Sequence, residues 1–175
     1  MPIRLISNAV LFQVGWFACV LGGTSWWLLI PLAALVIHFI WVTSWAAEGK
    51  LVVSVALAGA ALDSFLLQVG VFDFATTDTL APLWLVMLWA LLGTTLNHCL
   101  AWSAKPIWLA AILGAVGGPM AYFAGSSLAE VKLLLGPANT VWILAPIWAL
   151  TMPLLHGFAR LYREQFRLVQ AARRR

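Results

Sequence analysis

The side chains able to do chemistry in this 175-residue sequence lie in runs that are otherwise apolar: Asn8, Gln13, His38, Asp63, Gln68, Asn97, His98, Asn139 and His156. An amide, imidazole or carboxylate in hydrocarbon costs free energy, so such groups turn away from lipid and mark ligand or proton sites by default. Asp63, in AGAALDSFLL, stands apart from the rest. A carboxylate there costs about 2.5–3.5 kcal/mol on insertion, and Asn or Ser would join helices more cheaply. Asp63 is therefore expected to serve as a protonatable switch or a cation site. The competing role for every residue of the set is interhelical hydrogen bonding, worth about 0.6 kcal/mol on average.

The stretch TTLNHCLAW sets Asn97 beside His98. On a regular helix the two side chains diverge by about 100°, so one can bond a neighbouring helix while the other faces a cavity. The histidines form no HxxxH or HxxHH cluster, and Cys19 and Cys99 form no CxxC. These spacings lead to no expected metal site, no cofactor and no assigned catalytic residue.

The elements carrying these residues follow from composition. The chain is 63% hydrophobic and 9% charged, with 11 Trp and a mean hydropathy of +0.97. A soluble domain carries about 25% charged residues, so a soluble fold is excluded. The expected fold is all-α, an integral membrane bundle of six transmembrane helices. The segments run over about 5–22, 26–46, 51–71, 81–102, 106–125 and 138–159, each of bilayer-spanning length at about 1.5 Å per residue. GGTS, AAEGK, FDFATTDTLAP and SAKP punctuate them, and a longer connection runs from Gly125 to Pro137. Arg4 ahead of an apolar run imitates a signal peptide, but Asn8, Gln13 and Trp16 interrupt it and no A-x-A site follows, so it reads as a retained first helix. Residues 1–159 form the bundle and 160–175 a basic amphipathic cytoplasmic tail.

Six spans place Arg4, Lys50, Lys105, Arg160, Arg163, Arg167, Arg173, Arg174 and Arg175 on the side of both termini. Lys132 alone lies opposite, with Asp73, Asp78 and Glu130. That asymmetry puts both termini in the cytoplasm. Tryptophans agree: Trp26, Trp27, Trp84 and Trp142 fall near the outer interface and Trp45, Trp102 and Trp108 near the inner one, with Trp16, Trp89 and Trp148 deeper. Arg160, Arg163 and Arg167 are expected to contact anionic lipid at the cytoplasmic face. A topology anchor accounts for these arginines, so no nucleic acid is expected.

Depth then orders the polar groups. Counted from Lys105, Ala46 and Arg4, His98 lies about 10 Å in, His38 about 12 Å and Gln13 about 14 Å. Gln13, His38, Asn97 and His98 thus share a layer in the cytoplasmic half, while Asp63 sits about 20 Å from Lys50. In LGAVGGPMAYFAG, Gly114 and Gly118 make a GxxxG spacing for close helix approach. Gly117, Gly118 and Pro119 are expected to kink or break the fifth helix.

The stretches LFQVGWFACVLGG, APLWLVMLWALLGTTLNHCLAW and LGAVGGPMAYFAG resemble a group of small multi-pass inner-membrane proteins of proteobacteria known only as a domain of unknown function. The resemblance covers nearly the whole chain. It implies a bacterial inner-membrane location and carries over no catalytic residues. Members tend to be encoded near lipid-modifying enzymes, so the resemblance points towards envelope lipid metabolism. Three roles are open: binding or transport of a small solute, ion or lipid through the polar layer; a membrane enzyme or accessory subunit acting on lipid; and a partner in a homo-oligomer or membrane complex.

Overall fold

The computed structural model describes residues 2–74, 79–129 and 131–174; Asp78, Glu130 and Arg175 lie outside them. Among the described residues six α-helices make the fold: α1 (Pro2–Gly22), α2 (Leu29–Ile37), α3 (Trp45–Gln68), α4 (Leu83–Thr95), α5 (Ile107–Leu128) and α6 (Gly136–Arg173). Residues 26–28 form a 3₁₀ turn before α2, and His38–Val42 form a π-helical turn after Ile37. A two-residue antiparallel ladder, Phe72–Asp73 with Lys132–Leu133, ties the α3–α4 and α5–α6 connections together. Among the described residues, α1 (from Ile3), α3, α5 and α6 are long and apolar enough to cross a membrane, while Trp26–Val42 and Leu83–Thr95 are shorter apolar helices.

Local chemistry sets most helix ends. Gly23 (φ +53°) and Gly70 (φ +75°) take the left-handed conformation that stops α1 and turns the chain after α3. Pro82 and Pro106 stand immediately before α4 and α5, where a fixed φ and a missing N–H cost nothing. The exterior is apolar: Ile40, Trp142, Leu150, Met120 and Trp26 are all well exposed. A surface of this kind calls for a hydrocarbon surrounding.

Three expected boundaries are corrected. The second helical segment ends at Val42, because Thr43 and Ser44 are extended, and AAEGK lies inside α3 instead of between helices. Polarity alone marks Glu48 and Lys50 as a break; buried partners for Glu48 remove the reason for one. In the fourth segment the regular helix stops at Thr95. Residues beyond it wind through tight turns, His98 N donating to Thr95 O (2.9 Å) and Leu100 N to Thr95 O (3.0 Å), into a 3₁₀ stretch, Ala101–Ala104. The 100° divergence of Asn97 and His98 does not apply in that geometry. Finally, α5 runs unbroken through Pro119.

The bundle is closest packed between α5 and α6 and between α3 and α4. Small residues make this possible. Gly114 and Gly118 lie against Trp148, and Gly59 lies against the Trp89 ring. Trp89 and Trp148 stack with centroids 5.0 Å apart and planes 10° apart, so a paired indole forms the centre of the core. Trp84, expected at the outer interface, is buried against Phe74. At about 57 Å for its 38 residues, α6 is longer than a hydrocarbon core of about 30 Å, and its C-terminal end is arginine-rich.

Candidate functional site

Three helical segments converge on one carboxylate. Glu48, in the first turn of α3, is buried although it stands only two residues from exposed Lys50. His38 opens the π turn, which closes by Thr43 N donating to His38 O (3.0 Å). Such turns reset the register of a helix, often at functional positions. His98 and Asn97 come from the turns after α4. His38 Nε2 lies 3.2 Å from Glu48 Oε2, and His98 Nε2 lies 3.1 Å from both carboxylate oxygens. Asn97 Nδ2 donates to Oε1 at 3.1 Å. The two imidazole rings meet edge to face, centroids 5.3 Å apart.

Asn8, from α1, orients this group. Its Oδ1 accepts from Cys99 N (3.3 Å) and its Nδ2 donates to Thr94 O (3.1 Å), so two backbone groups define which way the amide faces. Nδ2 then points at His38 Nδ1, 3.4 Å away. An NH₂ group cannot accept, so Nδ1 is the acceptor and His38 carries its hydrogen on Nε2, aimed at Glu48. A carboxylate accepting from two imidazoles and an amide is a site for holding and passing a proton, or for a cation that replaces those hydrogens. Side-chain exposure grades from 1% at His38 through 8% at Glu48 to 17% at His98, so His98 is the accessible member.

The layer expected from depth is therefore partly assembled: His38, Asn97 and His98 meet. Gln13 is exposed and stands apart from the cluster. Glu48, the residue at the centre, escapes a reading based on polarity, which assigns it to a connection. The available signal is Ser44, a residue type favoured immediately before a helix; it stands at the start of α3, although its side chain makes no capping hydrogen bond.

Asp63 belongs elsewhere. It lies 15 residues further along α3, about 22 Å away. Fully buried, it accepts from Trp89 Nε1 (2.5 Å) and from the Tyr122 hydroxyl. His156 pairs with Ser103 Oγ (2.8 Å), and Asn139 bonds its own helix at Leu135 O. On the exposed end of α6, Arg160 Nε donates to Glu164 Oε1 (2.8 Å), and Arg163 and Arg167 are exposed beside it.

A second feature is a cavity of about 550 Å³ between α1, α4, α5 and α6, within the range of ligand pockets. Its wall is apolar and aromatic, with Trp84, Trp89, Tyr122 and Trp148; Gln13 and Ser103 supply polar edges. Gly117 also lines it, and a Cβ there would meet nothing within 4 Å, so its small size opens the wall instead of packing a helix.

These observations define an all-helical protein, with four helices among the described residues long and apolar enough to cross a membrane and a largely buried Glu–His–His cluster. The family model described as "Protein of unknown function (DUF2878)" matches residues 5–154, and the chain belongs to that family. No curated protein and no solved structure matches it.

Proposed function

We propose that this is a six-span protein of the bacterial inner membrane, with both termini cytoplasmic and Arg160, Arg163 and Arg167 against anionic lipid. It binds, and moves, a small solute, ion or lipid, and the Glu48 cluster holds the cargo or its coupling ion. One observation carries this reading: three ionisable side chains, His38, Glu48 and His98, converge from three separate segments of the chain in a largely apolar bundle. Glue between helices needs one hydrogen bond, whereas here three donors, His38 Nε2, His98 Nε2 and Asn97 Nδ2, converge on a single carboxylate. The expected result is that Glu48→Gln and His98→Ala each abolish the thermal stabilisation that a bound solute or lipid gives the detergent-solubilised wild type. Unchanged stabilisation in both variants would sink the proposal.

A second reading, an enzyme or accessory subunit of envelope lipid metabolism, draws support from the apolar cavity, whose size and lining suit a hydrocarbon chain. Filling it with Gly117→Phe is expected to displace a co-purifying lipid, measured by native mass spectrometry. Equal lipid retention in the variant and the wild type counts against that reading.

A further inference from the structure

We infer that His38, Glu48 and His98 form a binding site for a divalent first-row transition cation such as Zn²⁺ or Fe²⁺. This deepens the proposed reading of the same cluster by naming the class of its ligand. The three donor atoms lie within 4.8 Å of one another. Metal–nitrogen and metal–oxygen bonds of about 2.0–2.2 Å, at angles between octahedral and tetrahedral, place neighbouring donor atoms roughly 2.9–3.4 Å apart. The His38 Nε2–Glu48 Oε2 and His98 Nε2–Glu48 Oε2 separations, 3.2 and 3.1 Å, already have that length. Closing the polyhedron requires only that the two imidazoles draw together, and the turns carrying them, one π-helical and one irregular, sit outside regular α-helix.

The donor set fits this class of ion. Two imidazoles and a carboxylate are the ligands of catalytic zinc and of non-haem iron sites that keep open positions for water or substrate. One carboxylate against a double positive charge leaves a net positive centre, which favours an anionic or polarised oxygen as the further ligand. The surrounding polar groups also match. Asn97 supports Glu48 through Nδ2, while its Oδ1 is buried with no hydrogen-bond partner among the described residues. That orphaned acceptor, in the amide that touches the cluster, suits a water or hydroxyl carried by the ion. Calcium and magnesium prefer all-oxygen shells and fit poorly.

Coordination requires a tautomer shift in each imidazole. Each imidazole must offer a bare Nε2, so its hydrogen moves to Nδ1 in the neutral ring. At His38 the Nδ1 hydrogen then needs an acceptor, and the Asn8 amide has to turn its oxygen towards the ring. Loading therefore requires Asn8 to exchange its hydrogen bonds to His38 Nδ1, Thr94 O and Cys99 N.

The test is calorimetric titration of tag-free, chelator-stripped protein in detergent with Zn²⁺ alone, alongside the metal content of protein as isolated. The expected result is one Zn²⁺ per chain. His38→Ala, Glu48→Gln and His98→Ala should each weaken binding by more than about 100-fold, and Asn97→Ala by about 10–100-fold, as for supporting residues at metal sites. Wild-type binding no tighter than that of the triple variant would overturn the inference. X-ray absorption of the loaded wild type gives a reading that needs no variant to fold: imidazole scattering supports the site, and its absence refutes it. Solute stabilisation that depends on Glu48 but persists in metal-free protein leaves the binding function standing and removes only the metal. Tight Zn²⁺ binding without any solute effect does the reverse.

Discussion

Asp63→Ala is expected to destabilise the folded protein in detergent by about 2–6 kcal/mol, because it strands two buried donors at about 1–3 kcal/mol each. The Trp89 indole N–H and the Tyr122 hydroxyl both end on this one carboxylate, from α4 and α5 respectively, so a single side chain ties three helices together. Their rings also build the core: Trp89 stacks on Trp148, and Tyr122 stacks on Phe72 with planes 7° apart. Loss of the acceptor therefore loosens the indole pair and the wall of the apolar cavity together. Asp63→Asn keeps one acceptor oxygen, and the Tyr122 hydroxyl can rotate to accept from the amide, so its cost should be about half. Thermal unfolding of the two variants in one detergent measures the difference. Equal stability of wild type and Asp63→Ala would show that the carboxylate is not a structural tie.

Gly114→Ala should be at least as damaging, with loss of about 3 kcal/mol or failure to accumulate, at the upper end of what overpacking costs. A Cβ at Gly114 would stand 2.2 Å from the backbone oxygen of Trp148 and 2.9 Å from its carbonyl carbon. Backbone cannot swing aside as a side chain can, so α5 and α6 would have to separate along their closest contact. Gly118 meets the Trp148 ring instead, at 2.1 Å, so its substitution displaces an indole and disturbs the stack on Trp89. Gly117 supplies the internal control. With nothing within 4 Å of its Cβ position, Gly117→Ala should be neutral or gain up to about 1 kcal/mol from better helix propensity. Expression level and unfolding temperature of the three alanine variants rank them, and a Gly117→Ala as harmful as Gly114→Ala would contradict the packing described.

The GxxxG spacing at Gly114 and Gly118 was legible because it is a local pattern with one physical meaning, close helix approach. The effect of Pro119 was less so. A proline in mid-helix removes one hydrogen bond, but whether the helix then breaks depends on what packs beside it, and here α6 supports α5 across that turn. Depth counting brought His38 and His98 to one level although neither count follows a regular helix, since Thr43–Ser44 interrupt one path and the turns after Thr95 the other. It does not distinguish Gln13, which is exposed and lines the apolar cavity. Level is a property of sequence distance; facing is a property of how helices rotate against one another.

Glu48 shows the limit most clearly. Beside Lys50 and Gly49 it has every local mark of an interfacial break, and hydropathy counts it as one. What pulls it inward is the company of His38, Asn97 and His98, ten and about fifty residues away. Composition and period by themselves determined that this chain is helical and suited to hydrocarbon, since an apolar surface and internally satisfied backbones follow from residue type alone. Which polar side chains meet was decided only in the tertiary structure, because a hydrogen bond depends on ångström-scale placement that helix rotation, a π turn and the glycine contacts set jointly. Asp63 became a tie between helices and Glu48 the centre of a site for that reason.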